Sequence, residues 1–320
     1  MDQRLIEYFE IPDFAVDYID VYLTEAEQAA ILLMGKDLRL PVDLEAMLVP
    51  ITEDPAAFIT RTYARGTFNK AEEDGVIYFV VANFYKRLAF FSQYESEIYQ
   101  TKISADVRKL WDDWYVQAYA DRAVERLELC VQGKAVLIEN AFFYTLDETL
   151  TLVDRLEVDE FLLVPCNCRT VSLGCKETSR ENFCLQFSRG INTEWDRGHG
   201  ERISKEAAKE LVRKANKLGL MQTTETETAI CNCCGCCCFP IRASGRIGAK
   251  GIWPKRMYDV VLDAEACILC GQCVAVCNFD AFREADGEIV LCADKCWGCT
   301  LCKEHCPTGA IEMVRIGSIK

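Results

Sequence analysis

Residues 267–277 read CILCGQCVAVC, and residues 296–307 read CWGCTLCKEHCP. Both stretches have the spacing C-x2-C-x2-C-x3-C, in which two residues separate each of the first three cysteines. A short turning loop brings three such thiols towards one centre, which suits one face of a cubane iron–sulfur cluster. Zinc ribbons and disulfides are the alternatives, but zinc sites usually pair two C-x2-4-C knuckles and have no use for the additional cysteines. The spacing therefore predicts two iron–sulfur clusters.

The segment from residue 258 to residue 316 resembles a bacterial two-cluster ferredoxin domain. In that family, the fourth cysteine of each run binds the cluster that the other run holds. The resemblance implies one [4Fe–4S] cluster bound by Cys267, Cys270, Cys273 and Cys306. It implies a second [4Fe–4S] cluster bound by Cys296, Cys299, Cys302 and Cys277.

The residues around the two runs fit the same domain. Short strands are predicted over 260–262 and 289–291, and Asp286-Gly287 favours a hairpin turn. Asn278 follows Cys277 where the family usually has proline, so we expect a looser turn there and a modest shift in the potential of the neighbouring cluster. Cys292 lies outside both runs and is predicted to be a buried thiol.

The composition is that of a globular, acidic and cysteine-rich chain. Its 320 residues, half of them hydrophobic, provide for two or three domains. Most of the twenty cysteines stand in runs with metal-ligand spacing, and thiolates kept for metals need a reducing compartment. We therefore expect a cytoplasmic protein of an anaerobe. No signal peptide opens the chain, and no apolar run reaches the length of a membrane span.

The net charge of −14 bears on the partners of the protein. It argues against general affinity for nucleic acids, which are polyanions. An acidic surface suits docking on basic patches, so we expect redox enzymes as electron donor and electron acceptor.

Residues 1–100 contain no cysteine and are predicted to form a winged-helix-like domain. One helix begins at a capping box of Thr24 and Glu27, a second covers 42–48, and a third opens at Asp54-Pro55. A hairpin over 67–81 would form the wing.

A winged helix can enter the major groove of DNA, and Arg61, Arg65 and Lys70 could then face phosphates. However, residues 1–100 hold eight basic and eighteen acidic residues. A groove-binding face has to outweigh that repulsion, so protein docking or dimerisation is the favoured interpretation.

Residues 101–157 are predicted to form a helical connector, and residues 158–257 a cysteine-rich α/β domain. Helices are expected over 82–99, 104–130, 146–156 and 204–217, with a buried strand over 161–164. His199 lies in a polar loop, where a solvated side chain is favoured over a cluster ligand.

The cysteine-rich domain contains a second group of predicted metal ligands. They are Cys166, Cys168, Cys175, Cys184, Cys231, Cys233, Cys234, Cys236, Cys237 and Cys238. Six cysteines within residues 231–238 present their thiols to one small volume, and in a reducing compartment such thiols bind metal. The preferred partition gives one [4Fe–4S] cluster to Cys166, Cys168, Cys175 and Cys184 and a further centre to the later run. Exchange of ligands between the two runs fits equally, and zinc competes for either site.

The motifs Cys166-Asn167-Cys168-Arg169 and Cys231-Asn232-Cys233-Cys234 stand before the ferredoxin-like segment. In this order the chain resembles multi-cluster ferredoxin-like proteins of anaerobes, and that resemblance implies electron transfer without naming a substrate. The sequence thus predicts an α+β protein with a ferredoxin domain over 258–320, which carries single electrons between partner oxidoreductases. A homo-oligomer and a subunit of a larger complex fit equally. The alternatives are a redox enzyme that reduces a small substrate at the middle centre and a redox-sensing regulator.

Overall fold

The structure is a computed structural model that describes residues 2–132, 142–175, 182–224 and 228–316, without the side chains of Glu125, Arg126, Cys130 and Val131. The helices are α1 (Gln3–Phe9), α2 (Ile19–Tyr22), α3 (Glu25–Met34), α4 (Pro41–Leu48), α5 (Pro55–Ala64), α6 (Phe84–Tyr94), α7 (Ser96–Lys102), α8 (Ala105–Val131), α9 (Leu146–Arg155), α10 (Asn167–Ser172), α11 (Glu194–Arg197), α12 (Lys205–Lys217), α13 (Phe239–Arg246), α14 (Gln272–Val276) and α15 (Leu301–Glu304). Short 3-10 turns cover Asp13–Tyr18 and Ala293–Lys295. The strands are β1 (Phe68–Glu73), β2 (Val76–Val81), β3 (Phe142–Tyr144), β4 (Glu160–Val164), β5 (Cys184–Gln186), β6 (Glu201–Ser204), β7 (Met221–Thr224), β8 (Ala229–Cys233), β9 (Tyr258–Leu262), β10 (Phe282–Ala285), β11 (Glu288–Leu291) and β12 (Ile311–Arg315).

The chain divides into two compact units. The first contains Met1–Tyr115, Pro165–Ser172 and Arg189–Gly200. The second contains Val116–Val164, Leu173–Ser188 and Glu201–Lys320. This division differs from the four consecutive domains expected from the sequence, because two segments of the predicted cysteine-rich domain pack with the N-terminal residues.

The first unit contains the helices and the hairpin that the sequence predicts. Thr24 and Glu27 form the capping box of α3, and Asp54 caps α5 by accepting a hydrogen bond from the N–H of Ala57. Strands β1 and β2 pair antiparallel up to Glu73 opposite Val76. The winged-helix fold of residues 1–100 stays a prediction.

Two segments from the middle of the sequence are fixed in the first unit by polar contacts. The buried guanidinium of Arg197 donates to the carbonyl oxygen of Phe68 at 3.0 Å. Asn192 pairs with the backbone of Lys70, accepting at 2.8 Å and donating at 2.7 Å. His199 stacks on Tyr94 with ring centroids 3.7 Å apart and bonds the carbonyl of Ala64 through Nε2 at 2.7 Å. The prediction of a solvated loop histidine is therefore wrong, because the ring is part of the packing.

The second unit contains a six-stranded sheet in the order β3-β7-β8-β5-β4-β6, with antiparallel neighbours throughout. Helices α9 and α12 pack together beside it, and their apolar sides meet strand residues in one core. That core includes Val153, Phe161, Leu185, Val212 and Ile230. The sheet matters for the site because β8 leads directly into the cysteines at 234–238.

The C-terminal part of the second unit repeats one small pattern twice. Strand β9 pairs with β12, and β10 pairs with β11 across the predicted turn at Asp286-Gly287. A cysteine run and a short helix, α14 or α15, follow the first strand of each half. The predicted α+β class is confirmed for the described residues. Among the described helices, none combines the length and the apolarity that crossing a bilayer requires.

Candidate iron–sulfur centres

The eight cysteines of the two C-terminal runs line two separate cavities, four in each. Cavity 1 is lined by Cys267, Cys270, Cys273 and Cys306, with Leu262, Ile289 and Ile311 among its apolar neighbours. The first three thiols come from the loop before α14 and from its first turn, and Cys306 comes from the end of the other run. This is the crossed grouping of ligands that the ferredoxin resemblance implies.

Cavity 2 is lined by Cys296, Cys299, Cys302 and Cys277, with Val260, Phe282 and Leu301 among its apolar neighbours. Its fourth thiol again crosses from the other run. Four thiols facing one apolar cavity are the donor set that a cubane cluster requires, and both cavities meet that condition.

The two cavities differ in their exposure to solvent. The side chains of Cys296, Cys299 and Cys302 are 7%, 9% and 8% exposed, whereas Cys270 in cavity 1 is exposed. Burial raises the pKa of Cys299 to about 12 and also raises that of Cys302. A charged cluster bound in cavity 2 would therefore be less solvated than one bound in cavity 1.

Backbone N–H groups donate to two of the cysteine sulfurs that line cavity 2. The N–H of Ala281 donates to Cys277 Sγ at 3.3 Å, and the N–H of Gly298 donates to Cys296 Sγ at 3.3 Å. In cavity 1, Cys306 Sγ and the hydroxyl of Thr308 lie 3.8 Å apart. Such hydrogen bonds stabilise negative charge on a thiolate and are one of the ways a protein sets cluster potentials.

Asn278, the residue where the family usually has proline, connects cavity 2 to the middle cysteines. Its Oδ1 accepts from the N–H of Gly235 at 3.0 Å, and its Nδ2 donates to the carbonyl of Gly219 at 3.0 Å. A Cβ on Gly235 would lie 2.8 Å from the backbone oxygen of Asn278, so only glycine allows this approach. The expected looser turn after Cys277 is not what the structure shows, because the amide side chain fixes that turn.

One group of four thiols in the middle region, which we call the four-thiol group, consists of Cys175, Cys234, Cys236 and Cys237. All four Sγ atoms lie within 4.8 Å of one another. The contact with Cys175 alone would raise the pKa of Cys236, but the thiols of Cys234 and Cys237 lower it to about 7. This thiol is thus available as a thiolate ligand near neutral pH.

A second group, the strand thiol group, consists of Cys184, Cys231 and Cys233 on the neighbouring strands β5 and β8. Hydrogen bonds with the Cys184 and Cys233 thiols, together with burial, raise the pKa of Cys231. Thr223 lies opposite Cys231 on β7, and its hydroxyl is 3.4 Å from Cys233 Sγ.

The preferred partition of the middle cysteines is not the one that the structure shows. That partition groups Cys175 with Cys184, whereas the structure places Cys175 with Cys234, Cys236 and Cys237 of the later run, as an exchange of ligands between the two runs predicts. Cys166 and Cys168 belong to the first compact unit, beside and within α10. The run at 231–238 is divided because β8 ends at Cys233, so Cys234 begins a turn that leaves the sheet. Cys238 packs with Cys233 in the core of the second unit.

Comparison with protein families matches one model, the 4Fe-4S binding domain, over residues 260–283 and 293–312. The pyruvate synthase subunit PorD of Methanocaldococcus jannaschii is 36% identical over 66 residues, which are 20% of this chain and 74% of that protein. PorD of Methanothermobacter marburgensis is 36% identical over 72 residues, 22% of this chain and 83% of its own. This chain belongs to the 4Fe–4S ferredoxin family.

Other comparisons agree with this membership. An uncharacterized ferredoxin of Methanocaldococcus jannaschii is 32% identical over 83 residues, 26% of this chain and 49% of that ferredoxin. No solved structure matches the chain. The ferredoxin match covers both cysteine runs, since the two matched segments include every residue that supplies a thiol to cavities 1 and 2.

Proposed function

We propose that this protein carries single electrons between partner oxidoreductases through two [4Fe–4S] clusters bound in cavities 1 and 2. The observation that supports this most strongly is the crossed grouping of eight cysteines, four to each cavity. The clusters, when bound, supply the one-electron chemistry. The work of the chain is to hold them, to exclude water and to set their potentials.

The residues around each cavity set the two potentials differently. Reduction adds negative charge to a cluster that four thiolates already make negative, so burial opposes it and hydrogen-bond donors favour it. Cavity 2 has the more buried thiols and the N–H donors of Ala281 and Gly298. Because desolvation acts on the whole cluster, we propose that burial dominates and that cluster 2 has the lower potential.

Electrons are exchanged with a partner at cavity 1. Its loop exposes Cys270 and, directly before it, Ile268 and Leu269, which are 60% and 54% exposed. Exposed apolar side chains beside a cluster ligand are suited to a transient partner surface, because they can be covered during docking without breaking polar contacts.

For the partner, the relatives suggest a class of enzyme. PorD is named as a subunit of pyruvate synthase in two archaea. We propose that this chain exchanges electrons with an oxidoreductase of the pyruvate synthase type, either as a subunit or as a separate carrier. The net charge of −14 favours a partner with a basic docking surface.

The N-terminal residues are proposed to dock protein and not nucleic acid. Two of the three basic residues that could face phosphates are occupied by carboxylates. Arg65 pairs with Glu27 at 3.0 Å and with Glu95 at 3.1 Å, and Lys70 pairs with Asp196 at 2.8 Å. Binding DNA through them would require breaking these pairs.

The strand thiol group is proposed to supply three ligands of a further iron–sulfur cluster. Cys233 packs in the same hydrophobic core as Cys299 of cavity 2, together with Met221 and Leu301. A cluster there would lie next to cluster 2 within one compact unit, which is the arrangement that electron hopping needs.

The electron-transfer proposal is tested by mixing the anaerobically purified protein with a pyruvate synthase-type oxidoreductase, pyruvate and coenzyme A. Reduction should bleach the visible absorption of the clusters. The variants C273A and C302A should each bleach less, since each lacks one cluster. If the wild-type protein accepts electrons from dithionite but not from the enzyme, the partner class is wrong while the carrier function stands.

A further inference from the structure

We infer that the four-thiol group binds a single structural zinc ion and not an iron–sulfur cluster. Its members are Cys175, Cys234, Cys236 and Cys237. Such a zinc site is independent of the proposed electron transfer, because its thiols are different ones and zinc has no redox chemistry.

The distances between the thiols decide the kind of metal centre. Cys236 Sγ lies 3.5 Å from Cys175 Sγ and 3.6 Å from Cys237 Sγ. A zinc ion with Zn–S bonds of about 2.3 Å holds four sulfurs at tetrahedral corners roughly 3.8 Å apart. In a cubane each thiolate binds a different iron at a different corner, so its four sulfurs must stand farther apart. The four-thiol group fits one ion and is too compact for a cubane.

The C-terminal runs provide a control within the same chain. Their eight cysteines are all among the described residues, and they surround cavities 1 and 2. Among the described residues, neither of these sets brings three or more Sγ atoms mutually within 4.8 Å, as the four-thiol group does. The same chain therefore shows a wide spacing where a ferredoxin cluster belongs and a narrow spacing here.

Four thiols complete the coordination of zinc, which is the property of structural sites. Catalytic zinc keeps one position for water, and structural zinc does not. Cys234 and Cys237 are buried, in a core with Phe183 and Leu220, whereas Cys236 is exposed. The ion would thus lie at the edge of that core with its ligands coming from two separated parts of the sequence.

The position of the ion indicates its structural role. It would join Cys175, which follows α10 in sequence, to the turn between β8 and α13. Gly235 stands in that turn between two of the ligands, and its N–H donates to Asn278 beside Cys277. Zinc would therefore hold the turn that supports one ligand of cluster 2.

The test is metal analysis of the intact protein, purified anaerobically without added metal, together with X-ray absorption at the zinc edge. We expect one zinc per chain, four sulfur neighbours at about 2.3 Å and no iron neighbour. Absence of zinc, or a single iron in its place, would overturn the inference.

A matched pair of variants separates this site from the clusters. C236A removes the exposed ligand and should lose the zinc, while its iron and sulfide contents stay unchanged. C292A removes a thiol that belongs to none of these groups and should keep the zinc, the iron and the sulfide. Loss of about four iron atoms in C236A would instead mean a cubane at this site. If C236A fails to fold, the zinc content of the wild-type protein still decides whether the site binds zinc.

Discussion

The side-chain oxygen of Asn278 accepts a hydrogen bond from the backbone N–H of Gly235 at 3.0 Å. The two residues stand in different cysteine runs, 43 positions apart. Asn278 follows Cys277, which lines cavity 2, and Gly235 lies between Cys234 and Cys236 of the four-thiol group. One amide side chain therefore joins the ferredoxin domain to the cysteine-rich region before it.

Replacing Asn278 should weaken both the fold and the environment of cluster 2. The variants N278A and N278P each remove the hydrogen bonds to Gly235 and Gly219, and we expect a loss of about 1–3 kcal/mol in the free energy of unfolding. The potential of cluster 2 should shift while that of cluster 1 stays the same. Chemical denaturation and redox titration followed by EPR measure the two effects.

A double-mutant cycle tests whether the contact itself is responsible. G235A places a Cβ against the backbone of Asn278 and should separate the same two residues. If the contact is the cause, the losses in N278A and G235A will not add in the double variant. Additive losses would show that each substitution acts elsewhere.

The two clusters should have different potentials. Variants that each lose one of the two separate them: C302A keeps cluster 1, and C273A keeps cluster 2. Because the thiols of cavity 2 are more buried, we expect cluster 2 to titrate at a potential lower by at least roughly 60 mV, a tenfold difference in the reduction equilibrium. Spectroelectrochemistry of the two variants checks this, and the reverse order would mean that hydrogen bonds to sulfur outweigh burial.

The exposed loop at cavity 1 should control docking. The variant L269S removes an exposed apolar side chain of this loop that does not line cavity 1. We expect the rate of reduction by the partner enzyme at low protein concentration to fall several-fold, with unchanged iron content and potential. I316S, which alters an isoleucine that is 50% exposed and lies outside cavity 1, is the control. Equal rates for both variants would place the docking surface elsewhere.

Asp196 should stabilise the first unit in a pH-dependent way. Although burial alone would raise the pKa of Asp196, hydrogen bonds from Lys70 and Tyr63 lower it below the usual 3.8. The stabilisation is therefore complete above the unfolded pKa near 4 and is lost as the pH falls through the folded value. D196N should unfold at lower urea than wild type at pH 7, with a smaller difference at pH 3.5. A difference that does not shrink with acid would contradict this role.

The parts of the site that the sequence predicts are those fixed by ligand chemistry over short distances. Three thiols in a C-x2-C-x2-C run must face one centre, so the ligands of both cavities follow from spacing and from the ferredoxin resemblance. Caps such as Thr24 and Asp54 act within one helical turn and likewise locate the helix starts. The strands of the ferredoxin domain follow from their apolar runs and from the turn at Asp286-Gly287.

What the sequence does not predict depends on contacts between distant residues. Cys175 joins Cys234, Cys236 and Cys237 across about sixty residues, and no local pattern marks that pairing. The hydrogen bond between Asn278 and Gly235 also joins distant residues. The sequence shows that proline is absent at position 278, but it does not show that Gly235 lies opposite. The packing of Arg197 and His199 against the N-terminal unit also depends on such contacts.

The central claim is that each C-terminal cavity binds its own cubane through four thiolates, one of which crosses from the other run. Iron and sulfide analysis of anaerobically purified C302A and C273A, with EPR of the reduced proteins and C292A as the control, tests it most directly. Each ligand variant should lose about four iron atoms and the EPR signal of its own cluster, while C292A matches the wild type. A colourless, iron-poor wild-type protein, or ligand variants with the full iron content, would contradict the claim.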